Sequence, residues 1–188
     1  MAVDPYASGV LKKEVHERLV DDLAAVAGDA AIQPRWVWTR LADVCTPKIV
    51  QWVTRFRFHA NDGRYGLALV GENAEFVPEE ACAAIAGALV RNFIRARVVT
   101  VQDLVLATQD GEVPKLSCLL VPNFFAAGQK QASQSQWRLT LLLDALISRQ
   151  MAGLQTVVCV SDLAAMEKDY GRAFRRHLED FYQLVEVV

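Results

Sequence analysis

A three-layer α/β domain, with helices on both faces of a mainly parallel five-stranded sheet, is the fold this sequence predicts. Two observations carry the prediction. Beyond residue 64 come five short, nearly continuous apolar runs, YGLALV, ARVVTV, KLSCLLV, QTVVCV and YQLVEVV. Strands that read apolar at every position are strands buried on both faces. Between the runs lie the helix-like segments PEEACAAIAGALVRNFIR, SQWRLTLLLDALISRQM and LAAMEKDYGRAFRRHLEDF. Alternation of strand and helix demands crossover connections, and these produce parallel pairing.

The elements before the first run are helical. Residues 8–26 form a first amphipathic helix, with Val10, Leu11, Val15, Leu19, Leu23 and Val26 near helical spacing. GDAAIQPRW breaks it through Gly28 and Pro34. In RWVWTR, Trp36 and Trp38 alternate as in an edge strand, and core or interface packing is the expected use of both. A second helix starts after Thr46, a capping residue, with Pro47 at its first position. It runs through IVQWVTRFRFHA, buries Trp52, Phe56 and His59, and stops at NDGR. Residues 1–31 are thus an N-terminal helical extension and 32–188 the α/β domain. The segment NFFAAGQKQASQ reads as a loop of small and polar residues, and there is no internal repeat.

Composition narrows the class. The chain has 188 residues, 53% apolar and 22% charged, with a formal charge of −2. That suffices for a single core, and it argues against a polyanion-binding surface spread over the whole molecule. The charged, amphipathic start predicts no secretory leader, and no apolar run reaches membrane length, so no membrane contact is expected. Cys45, Cys82, Cys118 and Cys159 are far apart, without metal-ligand spacing. They read as buried apolar groups in a reducing cytoplasm, with no metal site.

In a parallel sheet, ligands bind beyond the carboxyl ends of the strands, so the turn GENAEFVPEE after the first run is the first candidate site. A working phosphate loop reads GxxxxGK[ST]: glycine backbone that lets N–H groups converge, a lysine for the β and γ phosphates, a hydroxyl for magnesium. Gly71 fits the opening glycine. Phe76 then stands at the second glycine, Val77 at the lysine and Pro78 at the hydroxyl. Phe76 does not take positive φ readily, Val77 carries no charge, and Pro78 has neither hydroxyl nor N–H. Glu72, Glu75, Glu79 and Glu80 surround the turn, and carboxylates in a first helical turn themselves satisfy the helix dipole. The expectation is a helix start without an anion site, its former volume filled by Phe76 and Val77.

With the strands placed, the chain resembles the AAA+ ATPase core of the DnaC/IstB helicase-loader and transposition-helper family, over about residues 32–188. AIQPRW is similar to the family's segment before the core. GLALVGENAEFVPEEACAAIAGALVRN is similar to its first strand, Walker A loop and helix, and ARVVTVQDLV to its second strand. SQWRLTLLLDALISRQMAGLQTVVCVSDL resembles the helix and strand leading to sensor 1, and DYGRAFRRHL the arginine-finger segment. The resemblance implies a P-loop NTPase-like sheet of order 5-1-4-3-2, with no lid domain following. It also implies functional positions, and these are altered. Pro122 and Asn123 stand where the two Walker B acids belong, Asp162 at sensor 1, and His177 at the finger, after Arg172, Arg175 and Arg176. Phosphoryl transfer relies on the groups that are missing.

The function expected is therefore that of a pseudo-ATPase: no catalytic residue, no cofactor, and an interaction or assembly role in DNA replication or transposition. Its partner would be a protein, an AAA+ relative or itself, met through Arg172, Arg175, Arg176 and His177, with Arg149 near them. An active ATPase with unusual ligands is one alternative, for which the nearest cations, Arg64 and Arg91, are poorly placed. A nucleic-acid-binding module is another, using Arg55, Arg57 and Arg64 interleaved with Phe56, Phe58 and Tyr65, or the later arginines. Against it, the same residues read as an amphipathic helix and a solvated face balanced by Glu179 and Asp180. Ser161, Asp162 and His177 are the residue types of a hydrolytic triad, but without a nucleophile elbow. Asp162 and Asp103 read as helix caps.

Overall fold

The computed structural model describes residues 4–128 and 135–187. The chain opens with α1 (Lys13–Asp21) and α2 (Leu23–Asp29) rather than one helix over 8–26. The break at Asp22 redirects the chain, so that Ala30 beyond α2 reaches the sheet, where its carbonyl accepts the Val98 N–H at 3.0 Å. The expected edge strand at RWVWTR is a one-turn helix, α3 (Arg35–Trp38). Adjacent Trp36 and Val37 are both buried. A strand, whose neighbours face opposite ways, cannot place both against one core.

Helix α4 (Pro47–Thr54) starts where expected, with Pro47 in its first turn. Thr46 precedes it, but its hydroxyl makes no cap bond and is buried without a partner. The helix ends at Thr54, not Ala60, and a 3-10 turn over Phe56–Phe58 follows. That turn brings His59 back onto Trp52, with ring centroids 5.1 Å apart and Nε2 2.8 Å from the Trp52 carbonyl. Trp52, Phe56 and His59 are all buried, as their spacing predicts.

From there strands and helices alternate: β1 (Gly66–Val70), α5 (Pro78–Arg91), β2 (Ala96–Val98), α6 (Val101–Gln109), β3 (Cys118–Phe125), α7 (Gln136–Met151), β4 (Gln155–Val160), α8 (Leu163–Tyr170), α9 (Arg172–Phe181) and β5 (Tyr182–Glu186). All pairings are parallel, in the order β2-β3-β4-β1-β5. This is the expected 5-1-4-3-2 counted from the other edge. Strand β2 is cut short because Thr100 and Asp103 cap α6 reciprocally, with Thr100 Oγ1 2.7 Å from Asp103 Oδ2. Asp103 is thus a cap, as expected. The last helical segment divides into α8 and α9 at Gly171, whose φ of 99° only glycine adopts without strain.

Side-chain alternation along the strands supplies two cores. Leu67, Leu69, Leu120, Val157 and Cys159 face α5, while Ala68, Leu119, Val121, Val158 and Val160 face α6 to α9. Ten successive residues of α5, 81–90, are buried. Their small size allows it: α3 crosses at Gly87, where any Cβ would overlap the Trp36 carbonyl. Leu11, Leu19 and Ala30 belong to the same cluster as α5 and the sheet.

The second core holds an arginine. Arg149, in the last turn of α7, is 1% exposed. Its guanidinium donates to the carbonyls of Pro114, Leu116 (3.1 Å) and Gln155 (2.6 Å), and Nε donates to Thr156 Oγ1 at 3.0 Å. No carboxylate pairs with it among the described residues. Burial lowers its pKa, but a guanidinium stays charged in any protein interior. It ties the start of β4 to the segment entering β3.

Candidate functional site

The β1–α5 turn opens a cavity of about 410 Å³ at the carboxyl end of the sheet. Gly71, Phe76, Pro78, Pro122, Asn123 and Ser161 are among its walls, so residues from three strand ends meet there. Gly71 leaves β1 with φ 120° and its N–H donates to the Val160 carbonyl at 3.0 Å. The loop then closes on itself. Asn73 Oδ1 accepts the Glu75 N–H and Asn73 O accepts the Phe76 N–H, both at 3.0 Å. Two donors that a phosphate cradle would aim at an anion are therefore consumed by an asparagine turn. Two positions on, past Val77, Pro78 has no N–H to give.

Phe76 packs against the α5 core, but Val77 is 44% exposed and does not line the cavity. The expected filling of the site by both side chains is thus corrected: Phe76 narrows the cavity and Val77 leaves it open. At the far wall β3 shifts register between Val121 and Phe125, and this irregularity carries Pro122 and Asn123. Asn123 Nδ2 donates to Glu79 Oε1 at 2.6 Å, joining the Walker B position to the first turn of α5. No described lining residue is lysine or arginine. Residues 129–134 of the expected loop, Lys130 with them, lie outside the described residues. Arg64 donates to the Tyr182 carbonyl and Arg91 to those of Val37 and Thr39, both away from the loop.

Beneath the cavity lie thiols. Cys159 lines its floor, with Sγ 3.7 Å from Cys82 Sγ. That contact and burial push the Cys82 pKa well up, and burial pushes Cys45 and Cys118 up to about 12. All four cysteines are free and buried, and these three stay neutral, so they pack rather than attack.

Of the remaining sequence candidates, Ser161 lines this cavity, while Asp162, His177 and the α9 arginines are not among its lining residues. Asp162 caps α8, accepting the Ala164 and Ala165 N–H groups at 2.7 and 3.0 Å. Ser161 Oγ accepts the Ala127 N–H at 2.7 Å. His177 is buried against Phe181 and Tyr182, where desolvation lowers its pKa. Tyr182 pairs level with Gly66 and Thr156, whereas Ser161 follows the opposite end of β4. A strand length thus separates His177 from Ser161, so no triad forms. Burial also removes His177 from the expected arginine face. On that face Arg175 is held between Glu167 and Glu179, both at 2.8 Å, and Arg176 lies 3.5 Å from Asp180. Arg172 is exposed and makes no ion pair among the described residues.

Solved structures share this arrangement. DnaI is similar over 84% of this chain and 92% of its own, at 17% identity and a TM-score of 0.59. The shared fold is a P-loop NTPase-like α/β one. The replication initiator DnaA bound to AMPPCP and single-stranded DNA aligns over 78% of this chain at 10% identity and a TM-score of 0.57. Domain III of DnaA from Thermotoga maritima aligns over 83%, and 68% of its own length, at 15% identity and a TM-score of 0.52. The chain spans about half the length of the first replication-initiation proteins it matches, 50% and 48%. No family model matches the sequence, and no curated protein does. Sequence reading located the loop and both strand ends of the site. It placed Glu79 in the first helical turn but missed its hydrogen bond to Asn123. It missed Asn73, whose role emerges only once the loop has closed and whose signal was an asparagine in a turn.

Proposed function

We propose that this chain is a pseudo-ATPase, an AAA+ core that acts through protein contacts in replication initiation or helicase loading rather than by hydrolysis. One observation carries the reading. The cavity where a nucleotide would sit is bounded by a self-closed loop, by Pro78, and by an Asn123–Glu79 hydrogen bond. These stand where converging N–H groups, a hydroxyl and two metal-binding acids would be needed. The setting rests on similarity in fold to DnaI and DnaA.

Thermal unfolding with magnesium and ATP or ADP tests it. A functional site at a hundredfold excess over its Kd would add about 2.7 kcal/mol of stability. No shift is expected at millimolar nucleotide. A reproducible nucleotide-dependent rise would overturn the proposal and favour an ATPase with unusual ligands.

Assembly, with a second copy or an AAA+ relative, is placed on the exposed side of α9. Arg175 is already held by two carboxylates, so Arg172, without an ion pair among the described residues, and Arg176, exposed and 3.5 Å from Asp180 alone, are the arginines more available to a partner. Light scattering should show self-association that increases with concentration and disappears in the double variant Arg172→Glu, Arg176→Glu. A wild-type monomer at every concentration would sink the self-association.

A further inference from the structure

A cavity of about 630 Å³ lies away from the nucleotide loop. It is formed where α1, α2 and the end of α5 meet β2, and its lining includes Arg18, Arg95, Arg97, Phe93 and Ala96. We propose that this cleft docks an extended acidic segment of a partner protein, added as a strand beside the part of edge strand β2 that Ala30 leaves unpaired. The proposal is independent of whether the nucleotide loop binds anything.

Three features converge on this occupant. The first is backbone. Strand β2 is an edge of the sheet. Arg95 O accepts the Cys118 N–H and Val99 N–H donates to Leu120 O, so residues 95, 97 and 99 turn their backbone groups toward β3. The alternate residues, Ala96 and Val98, turn theirs outward. Ala30 takes the Val98 N–H. Ala96, which lines the cleft, has no backbone partner on that side among the described residues. Unpaired edge groups beside a cleft are what strand addition uses.

The second is charge. Arg18, Arg95 and Arg97 are exposed and make no ion pair among the described residues. Arg95 and Arg97 are alternate strand residues, so they project from one face about 7 Å apart. Carboxylates two residues apart on an added strand would match them. The residue between those carboxylates would face the α2 side, where Leu19, Val26, Val90 and Ile94 form an apolar floor. The recognised pattern is therefore acid, apolar, acid. The apolar floor favours a peptide over a nucleic-acid strand.

The third is Phe93. It ends α5 with φ 59°, the left-handed conformation that glycine usually supplies there, and its side chain is 62% exposed. Only the stacked ring of His16, 5.9 Å away, covers it among rings. A bulky residue held in strain and left largely in water gains little in the free chain. At the rim of a docking cleft it supplies a rigid aromatic anchor.

A random dodecapeptide library displayed on phage, selected on the immobilised full chain, tests the proposal. Enriched peptides should carry the acid, apolar, acid pattern. A synthetic copy, followed by fluorescence anisotropy, should bind at least about tenfold more weakly to the Arg95→Glu, Arg97→Glu variant. Replacing the peptide acids with lysine should restore binding to that variant. Phe93→Gly should also weaken binding while raising Tm by about 2–4 °C, as relief of about 1 kcal/mol of strain would. This gives a variant whose fold is not in question. Peptides lacking acids, peptides that bind wild type and the double glutamate variant equally, or an oligothymidylate that binds through Arg95 and Arg97 would each overturn the inference.

Discussion

Arg149→Met should cost on the order of 3–5 kcal/mol and leave little folded protein at 37 °C. The side chain is close to the right volume, so the loss is not one of packing. Four acceptors lose their donor: the carbonyls of Pro114, Leu116 and Gln155, and the Thr156 hydroxyl. Each unsatisfied buried group costs about 1–3 kcal/mol. Part of that is returned, because the variant no longer holds a desolvated charge. The remainder is still a large share of the 5–15 kcal/mol that is typical of a whole domain. Arg149→Lys should recover only part of it, since one ammonium cannot span acceptors arranged for a planar fork. Urea denaturation reads both. A methionine variant within about 1 kcal/mol of wild type would mean that the network contributes nothing net.

Gly87→Ala is the second large effect, and here two contributions oppose each other. In an exposed helix the change would stabilise by about 1 kcal/mol through helix propensity. At this position the added methyl would overlap the Trp36 carbonyl, which is backbone and does not swing aside. Overpacking a closed contact costs about 1–3 kcal/mol, occasionally more. Because α3 must be displaced bodily, the upper end applies and steric cost wins. A fall in Tm is therefore expected, with new exposure of Trp36 in its fluorescence. An unchanged or raised Tm would show that α3 shifts without penalty.

The central strands were legible because they are apolar on both faces, and a run such as QTVVCV has few other uses. What escaped the sequence depends on contacts between distant segments. RWVWTR reads as alternation because one helical turn is too short to display a period. Only its neighbour α5 shows that Trp36 and Val37 are buried together. Arg149 sits where arginines ordinarily face solvent at a helix end, and nothing local marks the three carbonyls waiting for it. His177 was assigned by alignment to a surface motif, whereas the amphipathic face of α9 turns it inward beside Phe174 and Leu178. At the nucleotide loop the missing lysine, hydroxyl and acids were plain from the letters. The hydrogen bonds that replaced them were not. The cleft at β2 was invisible, since its walls come from chain segments far apart.

Strand β1 sits between β4 and β5, and both of these neighbours are made only after α5, α6 and α7. A growing polypeptide must therefore carry GLALV, wholly apolar, with neither edge paired until β4 has been made. High contact order of this kind makes folding slow and late rather than progressive. Any release of the chain before YQLVE is made leaves a sticky strand without its second neighbour, open to pairing with another molecule. For recombinant work the practical consequence is that chains trimmed ahead of β5 should accumulate as aggregates. Slowing translation, or supplying a chaperone, should raise the soluble yield of the whole chain more than any change to its surface.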